Sequence, residues 1–115
     1  MVFIQSDLIP PLEKEIDLLC ANLPYIPTGR LPSLKVSKWE PQTALNGGRD
    51  GLDQVRRLLL SSRGRLSVDA AIMLEVDVSN AAAAAAFAHE VYPQAVIQLI
   101  QDLSGRDRLL SLQLQ

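Results

Sequence analysis

The run Ile16-Asp17-Leu18-Leu19-Cys20-Ala21 ends in Asn22-Leu23-Pro24-Tyr25, and that junction constrains the fold more than any other stretch of the chain. A short apolar run stopped by a proline-containing turn reads as a strand. A strand ending in Asn-x-Pro-Tyr sets an amide and an aromatic face at its carboxyl end, where open α/β sheets bind ligands. The same four residues also suit a simple turn capping a strand.

The remaining elements alternate as in an α/β sheet. Residues 2–6 read as the remnant of a strand, closed by the turn at Asp7 and the Pro10-Pro11 break. Ile16–Ala21 is the next strand. Between residues 24 and 51, Pro27, Pro32, Pro41 and several glycines argue for a long loop of the kind that often carries function. Asp50 then stands as a helix N-cap, Asp53 favours the positive end of the helix dipole, and Leu52, Val55, Leu58 and Leu59 recur on one face. This helix should stop near Gly64. Residues 70–76 read as a buried strand, and residues 80–91, with six consecutive alanines, as a helix packed closely on a sheet and ended before Pro93. A strand over residues 95–101 follows. Alternation of Leu110, Leu112 and Leu114 with Ser111 and Gln113 marks a last strand with two unlike faces. The turn at Ser104-Gly105 is too short for a parallel crossover, so the last two strands should pair antiparallel.

Composition bounds the function classes. With 115 residues and 48% hydrophobic content, residues 1–115 can bury one modest core as a single domain. A formal net charge of -2 gives no electrostatic case for a nucleic-acid partner. Arg56, Arg57, Arg63 and Arg65, interspersed with leucines, read as a solvated helix face in preference to a phosphate-binding stripe. One cysteine rules out an internal disulfide and a cysteine-rich zinc site, pointing to a reducing, cytoplasmic setting. Cys20 reads as a small buried hydrophobe. No cluster has metal-ligand spacing, so no metal is expected. No apolar run approaches the ~18 residues of a membrane span, and the first residues lack the basic-then-apolar design of a signal peptide. His89, beside Glu90, reads as a solvated helix position.

Beyond the turn, the sequence carries Trp39-Glu40-Pro41, Ala44-Leu45, Gly47-Gly48, Asp50-Gly51-Leu52-Asp53 and Asp102-Leu103-Ser104-Gly105-Arg106-Asp107-Arg108. In that order and spacing, with Asn22-Leu23-Pro24-Tyr25, the chain resembles the downstream half of the peptide chain release factor glutamine methyltransferases, from about Val2 to its end. The resemblance implies an α/β, partial Rossmann-like class I methyltransferase sheet with retained strands ordered 4-5-7-6 and the last strand antiparallel, lacking the amino-terminal cofactor-binding half. It also implies S-adenosylmethionine as methyl donor and a release factor, modified on the glutamine of a Gly-Gly-Gln loop, as partner. The family's glycine-rich donor loop and ribose-binding acid have no counterpart here, and Gly47-Gly48 does not follow a strand. Weak or absent donor binding by this chain alone is therefore expected. Strand 4, without its usual neighbour, becomes an apolar edge that invites self-association.

By the same resemblance Asn22 is the catalytic residue, Asn22, Leu23, Pro24, Tyr25 and Glu40 are substrate-binding, and Asp7 with Asn22 lies beside the donor. Asp7 also reads as a turn aspartate capping its own backbone. Glu75 either borders the site or marks where burial ends, and Trp39 doubles as a packing anchor. The chemistry suits these types. An amide nitrogen is a poor nucleophile because its lone pair is delocalised into the carbonyl. Acceptance of the substrate NH2 hydrogens by the Asn22 side-chain oxygen and the Leu23 carbonyl would localise and aim that lone pair, more strongly as positive charge develops. Pro24 stiffens the turn, and Tyr25 offers an aromatic wall to the planar amide. Leu23 stands where the family usually has Pro, and Asn-Leu-Pro-Tyr also resembles the motif of ribosomal RNA adenine methyltransferases. The Glu-Pro and Gly-Gly-Arg-Asp-Gly-Leu-Asp segments favour the release-factor family. A nucleic-acid adenine methyltransferase and a non-catalytic oligomeric fragment are the alternatives.

Overall fold

The computed structural model describes residues 1–24, 48 and 50–115. Among them, strand β1 (Ile16–Ala21) is followed by helix α1 (Asp53–Ser62), strand β2 (Leu66–Glu75), helix α2 (Ala81–Val91), strand β3 (Val96–Gln101) and strand β4 (Asp107–Gln113). The four strands form one sheet in the order β1-β2-β4-β3. β1 runs parallel to β2, and β4 lies antiparallel to both β2 and β3. With β1 taken as strand 4, this is the order 4-5-7-6 of the class I methyltransferase sheet.

Period-two alternation sorts the side chains into two unlike faces. Ile72 and Leu74 of β2 stand opposite Leu112 and Leu110 of β4, which in turn face Ile97 and Leu99 of β3. Leu19 and Ala21 of β1 continue these rows. Onto this face pack Val55, Leu58 and Leu59 of α1 and Ala81, Ala84 and Ala88 of α2, giving one apolar cluster. The alanines let α2 approach the sheet closely. Where the two helices end, the Tyr92 and Ser62 hydroxyls meet at 2.5 Å, tying α2 to α1.

The opposite face has no helix over it among the described residues. Leu18 (56% exposed), Met73, Val96 and Ile100 stand on it in contact with solvent. Cys20 shares this face through its register with Met73 and is exposed. The expected buried cysteine is therefore corrected: position 20 has the wrong parity to reach the covered side.

Other boundaries differ from the expectations for local reasons. β2 begins at Leu66, four residues early, because Leu66 pairs with Ile16 ahead of an irregularity in the β1–β2 register. The stretch Leu66-Ser67-Val68-Asp69 is only partly buried, so it lacks the apolar signature of the strand's second half. Residues 1–6, expected to form a strand remnant, hold no ladder hydrogen bonds among the described residues, and Val2 and Phe3 are 80% and 90% exposed. Asp50 is not the N-cap of α1. Leu52 occupies that position without a side-chain cap, while Asp50 accepts the Leu52 N–H at 3.0 Å one step earlier.

Candidate functional site

Parallel pairing of β1 with β2 brings their carboxyl ends to the same edge of the sheet, and β3, antiparallel to β4, points the same way. At this edge Ala21 stands opposite Leu74, so Asn22 follows β1 beside Glu75 and Val76. Asn22 is exposed, and its side chain holds no hydrogen bond to a described residue. Leu23 turns inward and packs against the apolar cluster, and Pro24 is half-buried. The turn is thus anchored by one side chain and presents the other. That is the division of labour a positioned amide requires. Tyr25, Glu40 and Trp39 lie outside the described residues.

The neighbouring rim is polar and built in. Asp77, 8% exposed, and Asn80, 5% exposed, close the β2–α2 junction. The Asp77 N–H donates to the Asn80 side-chain oxygen at 3.2 Å, and the Asp77 carboxylate accepts the Ser79 N–H at 3.1 Å and the Ser79 hydroxyl. Beside it the Val76 N–H donates to the Arg108 carbonyl at 2.9 Å, and Arg108 pairs with Asp102 at 3.5 Å. Hydrogen bonds from Ser104 and the Arg106 backbone hold the Asp102 carboxyl down at about 2. Sequence reasoning passed over Asp77. Its only signal is a run Asp-x-Ser-Asn before a helical segment, which any helix start shares.

Asp7 stands on the flank of α1. Arg57 donates to its carboxylate at 2.6 Å, and Leu8 and Ile9 then pack against the cluster beside α1. Arg65 donates to the Pro10 carbonyl at 2.5 Å. Asp7 is thus engaged by a helix arginine. The segment Gly48 to Asp53 likewise has a structural task at the α1 entrance. Gly48 has φ +90°, a backbone conformation that favours glycine, and a Cβ there would also meet the Asp53 carboxylate. Arg56 clasps Asp50 and reaches Asp53 at 3.5 Å. The Arg56 guanidinium and the Leu52 N–H hold the Asp50 carboxyl down at about 2.

Arg56 thus engages Asp50 and Asp53, Arg57 engages Asp7 and Gln54, and Arg65 a carbonyl of the chain itself. They do not form a free basic stripe beside the motif. No group of three or more His, Cys, Asp or Glu suited to a metal ion occurs among the described residues, and none of their helices is long and apolar enough to cross a membrane.

Along nearly its whole length the chain is similar to curated release factor glutamine methyltransferases. That of Moorella thermoacetica is 38% identical over 94% of this chain, that of Thermosynechococcus vestitus 34% identical over 90%, and that of Rhodopirellula baltica 34% identical over 98%. The chain spans about two fifths of the length of these relatives, between 36% and 40%. Among solved structures it is similar to the E. cuniculi Mtq2–Trm112 complex, described as responsible for methylation of the eRF1 translation termination factor. There the TM-score is 0.67 at 16% identity, covering 97% of this chain and 60% of that one. This likeness carries the fold. No protein-family model matches the chain.

Proposed function

We propose that this chain forms the substrate-side part of a release factor glutamine methyltransferase, with Asn22 and the Leu23 carbonyl as the acceptors that orient the substrate amide. The observation that carries this reading is the turn after β1: an exposed Asn22 amide held at the carboxyl edge by a half-buried Leu23. The names of relatives similar along the whole chain supply the substrate class.

In this mechanism the glutamine side chain of a release factor enters the edge with its NH2 group towards Asn22. The Asn22 side-chain oxygen accepts one hydrogen and the Leu23 carbonyl the other, drawing the nitrogen away from planarity. The family resemblance assigns Tyr25 and Glu40 to the substrate as well. Such pre-aimed acceptors act on the transition state more than on the ground state.

The described residues fit the methyl donor poorly. None of β1, β2 and β3 is followed by a glycine-rich turn, and Asp7, assigned to the donor together with Asn22, is held by Arg57. The donor's binding surface therefore has to come from beyond these residues. Activity resides in an assembly that supplies it, and a cytoplasmic setting follows from the release-factor substrate. The spent arginines weigh against a nucleic-acid substrate, while the open β1 edge supports self-association of the chain by itself.

The test is methyl transfer to a release factor by a chimera joining this chain to the donor-binding portion of the Moorella thermoacetica relative. Transfer to the glutamine amide supports the reading. Transfer to RNA or DNA adenine instead, with the release factor untouched, overturns it.

A further inference from the structure

The register that sets Asn22 at the carboxyl edge also selects its neighbour. Cys20 stands opposite Met73 and Ala21 opposite Leu74, so one further step along the ladder places Asn22 opposite Glu75. Period-two alternation gives these two residues the same face. Ala21 and Leu23 turn to the apolar cluster, as do Leu74 and Val76, and Asn22 and Glu75 stand on the other side. Paired strands lie ~4.8 Å apart, a separation that one hydrogen bond between an asparagine amide and a glutamate carboxylate spans. Glu75 closes β2 and is half-buried, so the ladder fixes its backbone. Across from it on β4 is Leu109, and one pleat back on β2 is Met73. Neither side chain donates a hydrogen bond. Arg108 has the opposite parity and pairs with Asp102. Among these neighbours Asn22 is the strong donor within reach of the Glu75 carboxylate.

An asparagine amide has two ends of nearly the same shape and opposite chemistry. Methyl transfer as read above needs the Asn22 oxygen towards the substrate NH2, whereas the reversed amide would set donor against donor. Asn22 is exposed and holds no hydrogen bond to a described residue, so its side chain can turn either way. An ionised carboxylate only accepts. Beside Asn22 it takes the NH2 end and leaves the oxygen for the incoming amide.

We propose that Glu75 is the positioning residue for Asn22: its carboxylate accepts a hydrogen from the Asn22 side-chain NH2 and so fixes the Asn22 oxygen towards the substrate nitrogen. Glu75 acts through Asn22 and touches neither substrate nor donor. The proposal rests on the role given to Asn22 under the proposed function, and deepens it.

Steady-state methylation of a release factor by the chimera tests it. Glu75→Ala should lower kcat about tenfold or more and leave KM within about twofold. Glu75→Gln, whose side-chain oxygen still accepts, should stay within about threefold of the parent. In the Asn22→Ala background, Glu75→Ala should cause no further loss, because the group it positions is gone. Circular dichroism checks that each variant is folded. Parental kcat in Glu75→Ala, or the same loss in both backgrounds, overturns the proposal. NMR of the chain by itself, labelled with 15N-asparagine, reads the contact without activity. The Asn22 side-chain NH2 signals, identified by their loss in Asn22→Ala, should titrate with the midpoint of the Glu75 carboxyl and stop doing so in Glu75→Gln. Asp77 and Asp102 also lie at this edge, and the Glu75→Gln control separates their titration. Asn22 signals that ignore the Glu75 titration overturn the contact. A parent chimera that leaves the release factor unmethylated fails the methyl-transfer reading instead, and the NMR titration then decides the contact alone.

Discussion

Replacing Asn22 by Ala and Leu23 by Pro should separate the two jobs of the turn after β1. Asn22 is exposed and without a hydrogen bond to the described residues, so its truncation should change folding stability by no more than about 0.5 kcal/mol. In the active chimera, however, it removes one of two acceptors aimed at the substrate nitrogen. Loss of one such pre-aimed group costs about 100- to 1,000-fold in turnover. Leu23 is the converse. Its side chain is half-buried against the cluster, and exchanging it for the smaller proline forfeits part of the ~1.5–3 kcal/mol of a fully buried leucine, about 1 kcal/mol. The backbone carbonyl stays. The extended conformation that proline imposes on its predecessor suits the end of a strand. Leu23→Pro should therefore lower the melting temperature by a few degrees while retaining methylation within about threefold, since positioning by the carbonyl is unchanged. Thermal melts and single-turnover methylation of a release factor measure the two effects. Methylation by Asn22→Ala comparable with the parent would refute the assignment of that side chain to the reaction.

Other perturbations check the surroundings. Titration calorimetry of this chain by itself with S-adenosylmethionine should show affinity weaker than micromolar; a micromolar constant would mean that the described edge already holds the donor. Leu18→Lys places a charge beside the open edge and should weaken self-association in sedimentation, and no change would move the contact elsewhere. Ser62→Ala, Tyr92→Phe and the double variant should show a coupling energy of about 1 kcal/mol in denaturant melts, because Ser62 donates to Leu59 at 2.7 Å and so receives the Tyr92 proton. Additive losses would break that reading. Asp50, with its carboxyl lowered from 3.8 to about 2, contributes stability that is present above pH ~4 and is lost as the pH falls through ~2. Its side chain is 51% exposed, so Asp50→Asn should cost under about 1 kcal/mol near neutrality, with the difference disappearing only as the pH falls below ~2 in acid-titrated melts.

Much of the architecture was legible because burial imposes strong patterns. Ile16–Ala21 was readable to the residue, since an apolar run meets a proline turn at one end. Asn80 marked the start of α2, and the short Ser104-Gly105 connection dictated the antiparallel last pair. What stayed hidden depends on which side of the sheet is covered. Cys20 has the composition of a core residue, but its parity places it with Met73 on the face without a helix. Leu66 joins the strand through its pairing with Ile16 and the residues to Asp69 lie in the irregularity that follows, with mixed side chains that give no periodic signal. Asp50 has the right chemistry for a cap, yet the turn at Gly48 starts α1 three residues later and leaves it an Asx turn. At the candidate site, the Asn22 turn was visible because it interrupts a strand. The buried Asp77–Asn80 pair was not, since polar residues before a helix look alike whether they face a cleft or solvent.

The insertion of β4 between β2 and β3 also sets an order of assembly. β3 has no contact with β2 through the ladder; its attachment to the sheet runs entirely through β4, whose residues pair with partners as distant as Ala71 with Gln113. During vectorial synthesis on the ribosome, β1, α1 and β2 can meet as soon as they emerge. β3 then waits unpaired with both its edges open until residues 107–113 follow. Loop closure over such a separation is slow compared with helix formation. The nascent chain therefore passes through an interval in which a hydrophobic strand is available to chaperones or to wrong partners, and the final strand acts as the bolt that ends it.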